Sequence, residues 1–204
     1  MANLITFSRF LLLLALLCIV YWGGPWLQLV NAPLMIFIIS TDALDGYVAR
    51  KRGEETVFGA TFDIAVDRIV ENVMWVVLAH LGFIGVWVPL LFICRGNLVD
   101  AIRSKGAAQG TAAFDMMRSP VARFLVAGRF MRGFYAVIKA ATFAWILFWQ
   151  PIPILVPEFW SVWSSPITVT STILVVASAA LCIIRGLPVV LEFLLENSPA
   201  FKSR

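Results

Sequence analysis

Residues 42–50 read Asp-Ala-Leu-Asp-Gly-Tyr-Val-Ala-Arg, and residues 59–67 read Gly-Ala-Thr-Phe-Asp-Ile-Ala-Val-Asp. Each of these segments carries a pair of carboxylates, at positions 42 and 45 in the first and at 63 and 67 in the second. Residues three or four positions apart share one face of a helix, so each pair is predicted to point in one direction. The polar break at 51–57 is short, which makes the two helices antiparallel neighbours. We therefore expect the two pairs to face each other across one seam.

The four carboxylates of this seam predict a metal site. Carboxylates that lie so close repel strongly and stay ionised together only when cations lie between them. Oxygen ligands suit Mg²⁺ or Mn²⁺, and a cluster of this size suits two such ions. The predicted metal ligands are Asp42, Asp45, Asp63 and Asp67. Gly46 and Gly59 would let a flat ligand approach the same helices, and Arg50 adds a guanidinium group that suits phosphate.

The composition is that of a membrane protein. Of the 204 residues, 61% are hydrophobic and only 14% are charged, and the mean hydropathy is +0.90. A soluble domain of this size is far less apolar. We therefore predict an all-α integral membrane protein whose residues 1–204 form a single transmembrane domain. The three cysteines have neither the spacing of a zinc site nor that of a disulfide framework.

Apolar runs of about 20 residues have the length that a bilayer demands, and they predict six transmembrane helices. The predicted spans are residues 4–22, 33–50, 58–81, 86–104, 121–149 and 167–187. The connections at 23–31, 82–86 and 150–166 contain no Lys or Arg, and all sixteen basic residues lie towards the other face. The positive-inside rule therefore places both termini and the carboxylate seam in the cytoplasm. Four prolines in 150–166 also predict that this connection is not a continuous helix.

This topology predicts a polar active-site cavity that opens to the cytoplasm from the cytoplasmic membrane. The net charge of +4 then reflects the orientation in the membrane and an attraction for anionic lipids and phosphate. We therefore expect membrane lipids, and no nucleic acid, among the partners.

Basic residues also lie inside the fourth and fifth predicted spans. They are Arg95, Arg103, Arg123, Arg129, Arg132 and Lys139. A charge in hydrocarbon is costly, so these side chains should face a water-filled cavity or an anion. Salt bridges to the carboxylate seam, to Asp100 or to Asp115 explain any single one of them, but the group is too large for that explanation. A basic pocket beside a metal site predicts a phosphorylated substrate.

The pattern D-x2-D-G-x2-A-R followed by G-x3-D-x3-D resembles the signature of the CDP-alcohol phosphotransferase family. The matching positions are Asp42, Asp45, Gly46, Ala49, Arg50, Gly59, Asp63 and Asp67. The resemblance implies cleavage of the pyrophosphate of a CDP-linked alcohol, transfer of a phosphatidyl or related group to an acceptor hydroxyl, and release of CMP. It makes Asp67 the candidate general base that takes the proton from the attacking hydroxyl. The residues that it assigns to CDP are Asp42, Gly46, Ala49, Arg50 and Gly59.

Two further segments look most like the corresponding segments of the phosphatidylglycerophosphate synthases of this family. Residues 95–103, Arg-Gly-Asn-Leu-Val-Asp-Ala-Ile-Arg, resemble their fourth-helix segment, and residues 119–123 fall where they have S-x2-G-K. The acceptor-phosphate residues that this resemblance implies are Arg95, Arg103 and Arg123, together with Arg129 or Arg132. CDP-diacylglycerol is the expected donor and glycerol 3-phosphate the expected acceptor, with inositol 1-phosphate as the alternative. Homodimers are common in the family, and one is expected here.

Other interpretations of the charged residues stay open at this point. The same acids would suit the path of a cation transporter, although they cluster at one depth and such a path needs several. Arg68 points about 100° away from Asp67 around the helix, and we interpret it as a residue that extends to the membrane interface. Glu71 is interpreted either as a partner of the metal ligands or as a contact between helices.

Overall fold

The computed structural model describes residues 2–52, 57–108, 124–126 and 128–197. Every regular element in this part of the chain is a helix, which confirms the predicted all-α class. The helices are α1 (Ala2–Trp22), α2 (Pro25–Gln28), α3 (Asn31–Arg52), α4 (Val57–His80), α5 (Trp87–Ala108), α6 (Arg129–Trp149), α7 (Ile152–Leu155) and α8 (Pro157–Asn197). Residues 124–126 are also helical, and Gly128 separates them from α6.

The helices α1, α3, α4 and α5 lie where the first four spans were predicted, whereas α6 covers the predicted fifth span only from Arg129 onwards, after the break at Gly128. The turn from α4 to α5 depends on Gly82, whose φ of 78° is in the left-handed region that glycine adopts without strain. The N–H of Gly82 donates to the carbonyl of Ala79, and the N–H of Phe83 donates to that of Leu78, both at 3.0 Å. These bonds close the end of α4 and turn the chain back along the bundle.

The prediction that 150–166 is not one continuous helix is confirmed, since the chain turns at Gln150 and Pro151 and leaves the helix again at Val156. The last helix nevertheless begins earlier than predicted, because α8 starts at Pro157 and continues through Pro166 and Pro188. A proline in the first turn of a helix costs little, since the N–H that it lacks has no partner there. A proline further along removes one backbone hydrogen bond, and membrane helices tolerate this loss. The sixth span is therefore part of a helix of 41 residues that extends beyond both predicted ends.

The six long helices form a closed ring. In this ring α1 packs against α3 and α4, α4 against α5, α5 against α8, α8 against α6, and α6 against α3. Trp75 of α4 is fully buried inside the ring. It stacks on Phe92 of α5 with ring centroids 4.4 Å apart and meets Phe143 of α6 at 4.5 Å. Apolar side chains fill this part of the ring, and charged side chains collect at the end where α4 and α6 begin.

Large apolar side chains cover the outside of the helices. Phe130, Val137 and Val162 are among the most exposed, and soluble proteins rarely present such a surface. Two helical stretches in the described part of the chain are long and apolar enough to cross a membrane, Phe130–Leu155 and Pro157–Leu195. Charged residues of α4 and α5 face the interior and lower the mean hydropathy of those helices. The count of six spans therefore stays a prediction.

Candidate active site

A polar cavity of about 470 Å³ lies at the charged end of the ring, between α4, α5, α6 and α8. Its charged lining residues are Asp63, Asp67, Arg68, Glu71, Arg95, Asp100, Arg103, Arg132, Lys139 and Arg185. Six of these are basic and four are acidic, so the lining carries an excess of positive charge. The residues predicted to form the site that meet in this cavity are Asp63, Asp67, Arg95, Arg103 and Arg132, while the role of each stays a prediction.

Asp63 and Asp67 lie one turn apart on α4, and their side chains are 40% and 54% exposed. Arg9 of α1, whose side chain is only 1% exposed, contacts both of them. Its Nη1 donates to Oδ1 of Asp63 at 3.0 Å, and its Nη2 donates to Oδ1 of Asp67 at 3.5 Å. Arg9 was not among the predicted site residues. It stood out in the sequence as a charge at the start of the apolar run of α1.

Several predicted site residues lie outside what the structure describes. They are Arg123, the side chain of Arg129, and the side chains and contacts of Asp42, Asp45, Gly46, Ala49 and Arg50 on α3. Gly59 lies in the first turn of α4. The two motif helices were predicted to be antiparallel neighbours, but in the described part of the chain α3 and α4 each pack on α1 rather than on each other. A seam in which the two carboxylate pairs face each other therefore stays a prediction.

Asp63 and Asp67 fit half of the predicted metal site. Among the described side chains, no group of three or more His, Cys, Asp and Glu is arranged to hold a metal ion. The two aspartates present exposed carboxylates, and carboxylate oxygens are the ligands that Mg²⁺ and Mn²⁺ take. Two more carboxylates from α3 would complete the set that the sequence predicts.

Arg68 lines the cavity, so its interpretation as a membrane-interface residue is wrong. Its Nε and Nη2 donate to the two carboxylate oxygens of Asp100 on α5 at 2.8 and 3.0 Å, and its Nη1 donates to Glu71 at 3.3 Å. A planar guanidinium matched to a carboxylate in this way is held in one orientation. The side chain of Arg68 meets α5 where the sequence interpretation had placed the membrane interface.

Glu71 is a buried contact between helices. Its Oε1 accepts from Nζ of Lys139 on α6 at 2.8 Å, while its Oε2 accepts from Arg68. Lys139 Nζ also lies 4.5 Å from the centre of the Tyr135 ring. A buried carboxylate is tolerated when it is paired in this way. Glu71 joins α4 to α6 one helical turn beyond Asp67.

Arg95 of α5 and Arg185 of α8 form a wall of the cavity that has unmatched donors. Nε of Arg95 and both Nε and Nη1 of Arg185 are buried, and none of them has a hydrogen-bond partner among the described residues. Arg185 is 6% exposed, its Nη2 donates to the carbonyl of Val126 at 3.3 Å, and its guanidinium lies 5.3 Å from the centre of the Tyr135 ring. Buried donors of a cationic group that lack protein partners suit an anionic ligand.

Gly186 makes room for Arg95 against α8. A Cβ at position 186 would lie 2.6 Å from Cγ and 2.9 Å from Nε of Arg95, so only glycine fits without a shift. Neither Arg185 nor Gly186 was predicted as a site residue. The available signal was one arginine followed by glycine inside an otherwise apolar run of the last span.

The chain is similar to known proteins over most of its length. A family model described as CDP-alcohol phosphatidyltransferase matches residues 1–183. The chain is 32% identical over 111 residues to the CDP-diacylglycerol–glycerol-3-phosphate 3-phosphatidyltransferase of Pseudomonas fluorescens, a match that covers 53% of this chain and 56% of that protein. It is 28% identical over 111 residues to the protein of the same name from Salmonella choleraesuis, covering 53% of this chain and 60% of that protein.

A third relative has a different name. The chain is 33% identical over 69 residues to the archaetidylinositol phosphate synthase of Methanothermobacter thermautotrophicus, covering 34% of this chain and 35% of that protein. The chain thus spans little more than half of the curated relatives that it matches over the greatest length. Together with the apolar exterior, these similarities indicate an integral membrane protein.

Proposed function

Because the chain belongs to the CDP-alcohol phosphatidyltransferase family, we propose that it transfers a phosphatidyl group from CDP-diacylglycerol to a hydroxyl of glycerol 3-phosphate. The products are phosphatidylglycerophosphate and CMP, and the reaction belongs to phospholipid biosynthesis. One observation carries the proposal. A pair of exposed carboxylates and a wall of arginine donors without protein partners share one cavity.

The donor half of the reaction uses the carboxylate side of the cavity. Asp42, Asp45, Asp63 and Asp67 would hold two Mg²⁺ or Mn²⁺ ions, which neutralise the pyrophosphate and the charge on the departing CMP. Gly46, Ala49 and Gly59 leave room for cytidine, and Arg50 contacts phosphate. Asp67 accepts the proton of the acceptor hydroxyl. The oxygen of that hydroxyl bonds to the phosphatidyl phosphorus as the bond from this phosphorus to CMP breaks. Its 54% exposure towards the cavity gives the hydroxyl access.

The acceptor half uses the basic side. The guanidinium groups of Arg95 and Arg185, which line the cavity, bind the phosphate of the acceptor, and Arg103 and Arg132 add positive charge to the same cavity. Arg123 or Arg129 extends this set in the proposed pocket. Arg68, Glu71 and Lys139 do not take part directly, because they are already paired with each other and with Asp100.

The diacylglycerol part of the donor requires access from the bilayer. We propose six transmembrane helices with the cavity, both termini and the basic residues on the cytoplasmic side, as the distribution of Lys and Arg favours. The proposed unit is one transmembrane domain, residues 1–204, which pairs with a second copy as family members commonly do. Membership of this family gives no support to the cation-transporter alternative, which we do not retain.

Inositol 1-phosphate is the second candidate acceptor. The similarity to an archaetidylinositol phosphate synthase favours it, although that match covers a third of each chain. The arginine wall suits either acceptor, since each carries one phosphate group. The metal side of the cavity would act in the same way in both reactions.

The test is release of CMP by the purified protein with CDP-diacylglycerol and Mg²⁺, with glycerol 3-phosphate and inositol 1-phosphate compared as acceptors. We expect release with glycerol 3-phosphate. Release with inositol 1-phosphate alone would replace the acceptor and keep the transferase. No release with either acceptor, under conditions in which a purified family member of known activity releases CMP, would refute the proposed reaction.

A further inference from the structure

Arg9 is an unusual residue for the interior of an apolar helix. It lies in α1, its side chain is 1% exposed, and it reaches across to two carboxylates of α4 that are 54 and 58 residues away in sequence. Burial of a guanidinium costs free energy that carboxylate partners must offset. The contact is therefore a specific link between α1 and α4, and not an incidental one.

The geometry of the contact uses both terminal nitrogens of Arg9. Nη1 meets Asp63 and Nη2 meets Asp67, each at the Oδ1 atom, at 3.0 and 3.5 Å. The two aspartates are about half exposed, so without a partner their side chains would rotate among several rotamers. A guanidinium holds its nitrogens in one plane at a fixed separation, which orients both carboxylates relative to each other. A lysine ammonium carries the same charge but has no such plane.

We propose that Arg9 is a positioning residue that fixes the mutual orientation of Asp63 and Asp67 and so sets the affinity and selectivity of the divalent-metal site. This inference rests on the proposed function, because it takes these aspartates as metal ligands. Arg9 acts on the metal only through the two carboxylates. Mg²⁺ and Mn²⁺ depend most on this orientation, since small cations require near-octahedral geometry, whereas Ca²⁺ accepts irregular arrangements of oxygen ligands.

The experiment compares Arg9→Lys with the unsubstituted full chain in detergent, by titration with Mn²⁺ and paramagnetic resonance of the free ion. Loss of a residue that orients a metal ligand typically weakens binding about 10- to 100-fold, and we expect a rise of this size in the Kd for Mn²⁺. The Kd for Ca²⁺, measured by competition against Mn²⁺, should rise less, so selectivity between the two ions falls. If Arg9 acted only through its positive charge, the affinities for Mn²⁺ and Ca²⁺ would change by the same factor.

Arg185→Lys is the matched control, because it makes the same substitution at another buried arginine of the cavity. It should bind Mn²⁺ as the unsubstituted chain does, while its KM for the acceptor rises. A folded Arg9→Lys protein with unchanged Kd values for both ions would overturn the inference, as would a failure of the unsubstituted chain to bind Mn²⁺. Arg9→Gln, which also removes the charge, is the more disruptive variant, so Arg9→Lys decides the test.

The proposed reaction and the role of Arg9 fail in different ways. Metal binding that weakens on Arg9→Lys in a protein that releases no CMP would refute the transferase and retain the positioning role. Release of CMP by a protein whose metal affinity does not change on Arg9→Lys would support the transferase and refute the positioning role.

Discussion

Gly186→Ala tests the arginine wall with one added methyl group. The new Cβ would lie 2.6 Å from Cγ of Arg95, and ordinary contact begins at 3.4 Å, so the middle of that side chain must move by about 0.8 Å. A charge-assisted hydrogen bond of about 2.8 Å to the acceptor phosphate would then lengthen to about 3.6 Å, which is outside bonding range. Such a bond contributes about 1.5–3 kcal/mol. We therefore expect the KM for glycerol 3-phosphate to rise about 10- to 100-fold.

Gly133→Ala on α6 is the control, because a Cβ there would meet nothing within 4 Å. Alanine stabilises a helix by about 1 kcal/mol over glycine, so this variant should gain that amount and keep the unsubstituted KM. At position 186 an overpacking cost of about 1–3 kcal/mol opposes the same gain, so that variant should be neutral or less stable. Initial rates of CMP release at varied acceptor and donor concentrations give both KM values. An unchanged acceptor KM in Gly186→Ala, or an equal rise in both, would refute the assignment of Arg95.

Three more substitutions probe other parts of the cavity. Asp67→Asn should lower turnover about 10²- to 10⁴-fold in a protein that still folds, with a lower melting temperature because the buried Arg9 loses one carboxylate partner; near-normal turnover would remove Asp67 as the general base. Arg103→Ala should raise the acceptor KM more than the donor KM, which initial-rate kinetics can decide; equal effects would argue against its place in the acceptor pocket. Glu71→Gln leaves Lys139 and Arg68 short of a buried negative charge, at a cost of about 3–5 kcal/mol. Thermal unfolding should show a fall of about 10 °C, and no fall would mean that the Glu71 pair is not stabilising.

Local periodicity explains what could be predicted from the sequence. The i, i+4 spacing of Asp63 and Asp67 is enough to put them on one face of α4, and the apolar runs are enough to locate five of the six long helices. Arg95 and Arg103 were expected in a cavity for a more general reason, since charges inside a span need a polar surface. None of these inferences required knowledge of which helices pack together.

The remaining features depend on packing between distant segments. Helical geometry gives the direction of Arg68 but cannot say that α5, with Asp100, lies there instead of lipid. The contact of Arg9 with α4 and the approach of Arg95 to Gly186 follow from the order of helices around the ring, which one sequence does not display. Pro166 likewise lies inside a helix because the segments on both sides of it are helical, and the proline by itself does not indicate this.

The order of helices around the ring also has a consequence for biosynthesis. The link between Arg9 and the aspartates of α4 uses only the first 80 residues, and α3 docks on the same helix α1. The arginine wall, in contrast, needs α8, which leaves the ribosome after the other described helices. The proposed nucleotide-binding half can thus assemble in the nascent chain before the proposed acceptor half exists. A partly made chain would hold its carboxylates in place around Arg9 until α8 arrives to close the ring.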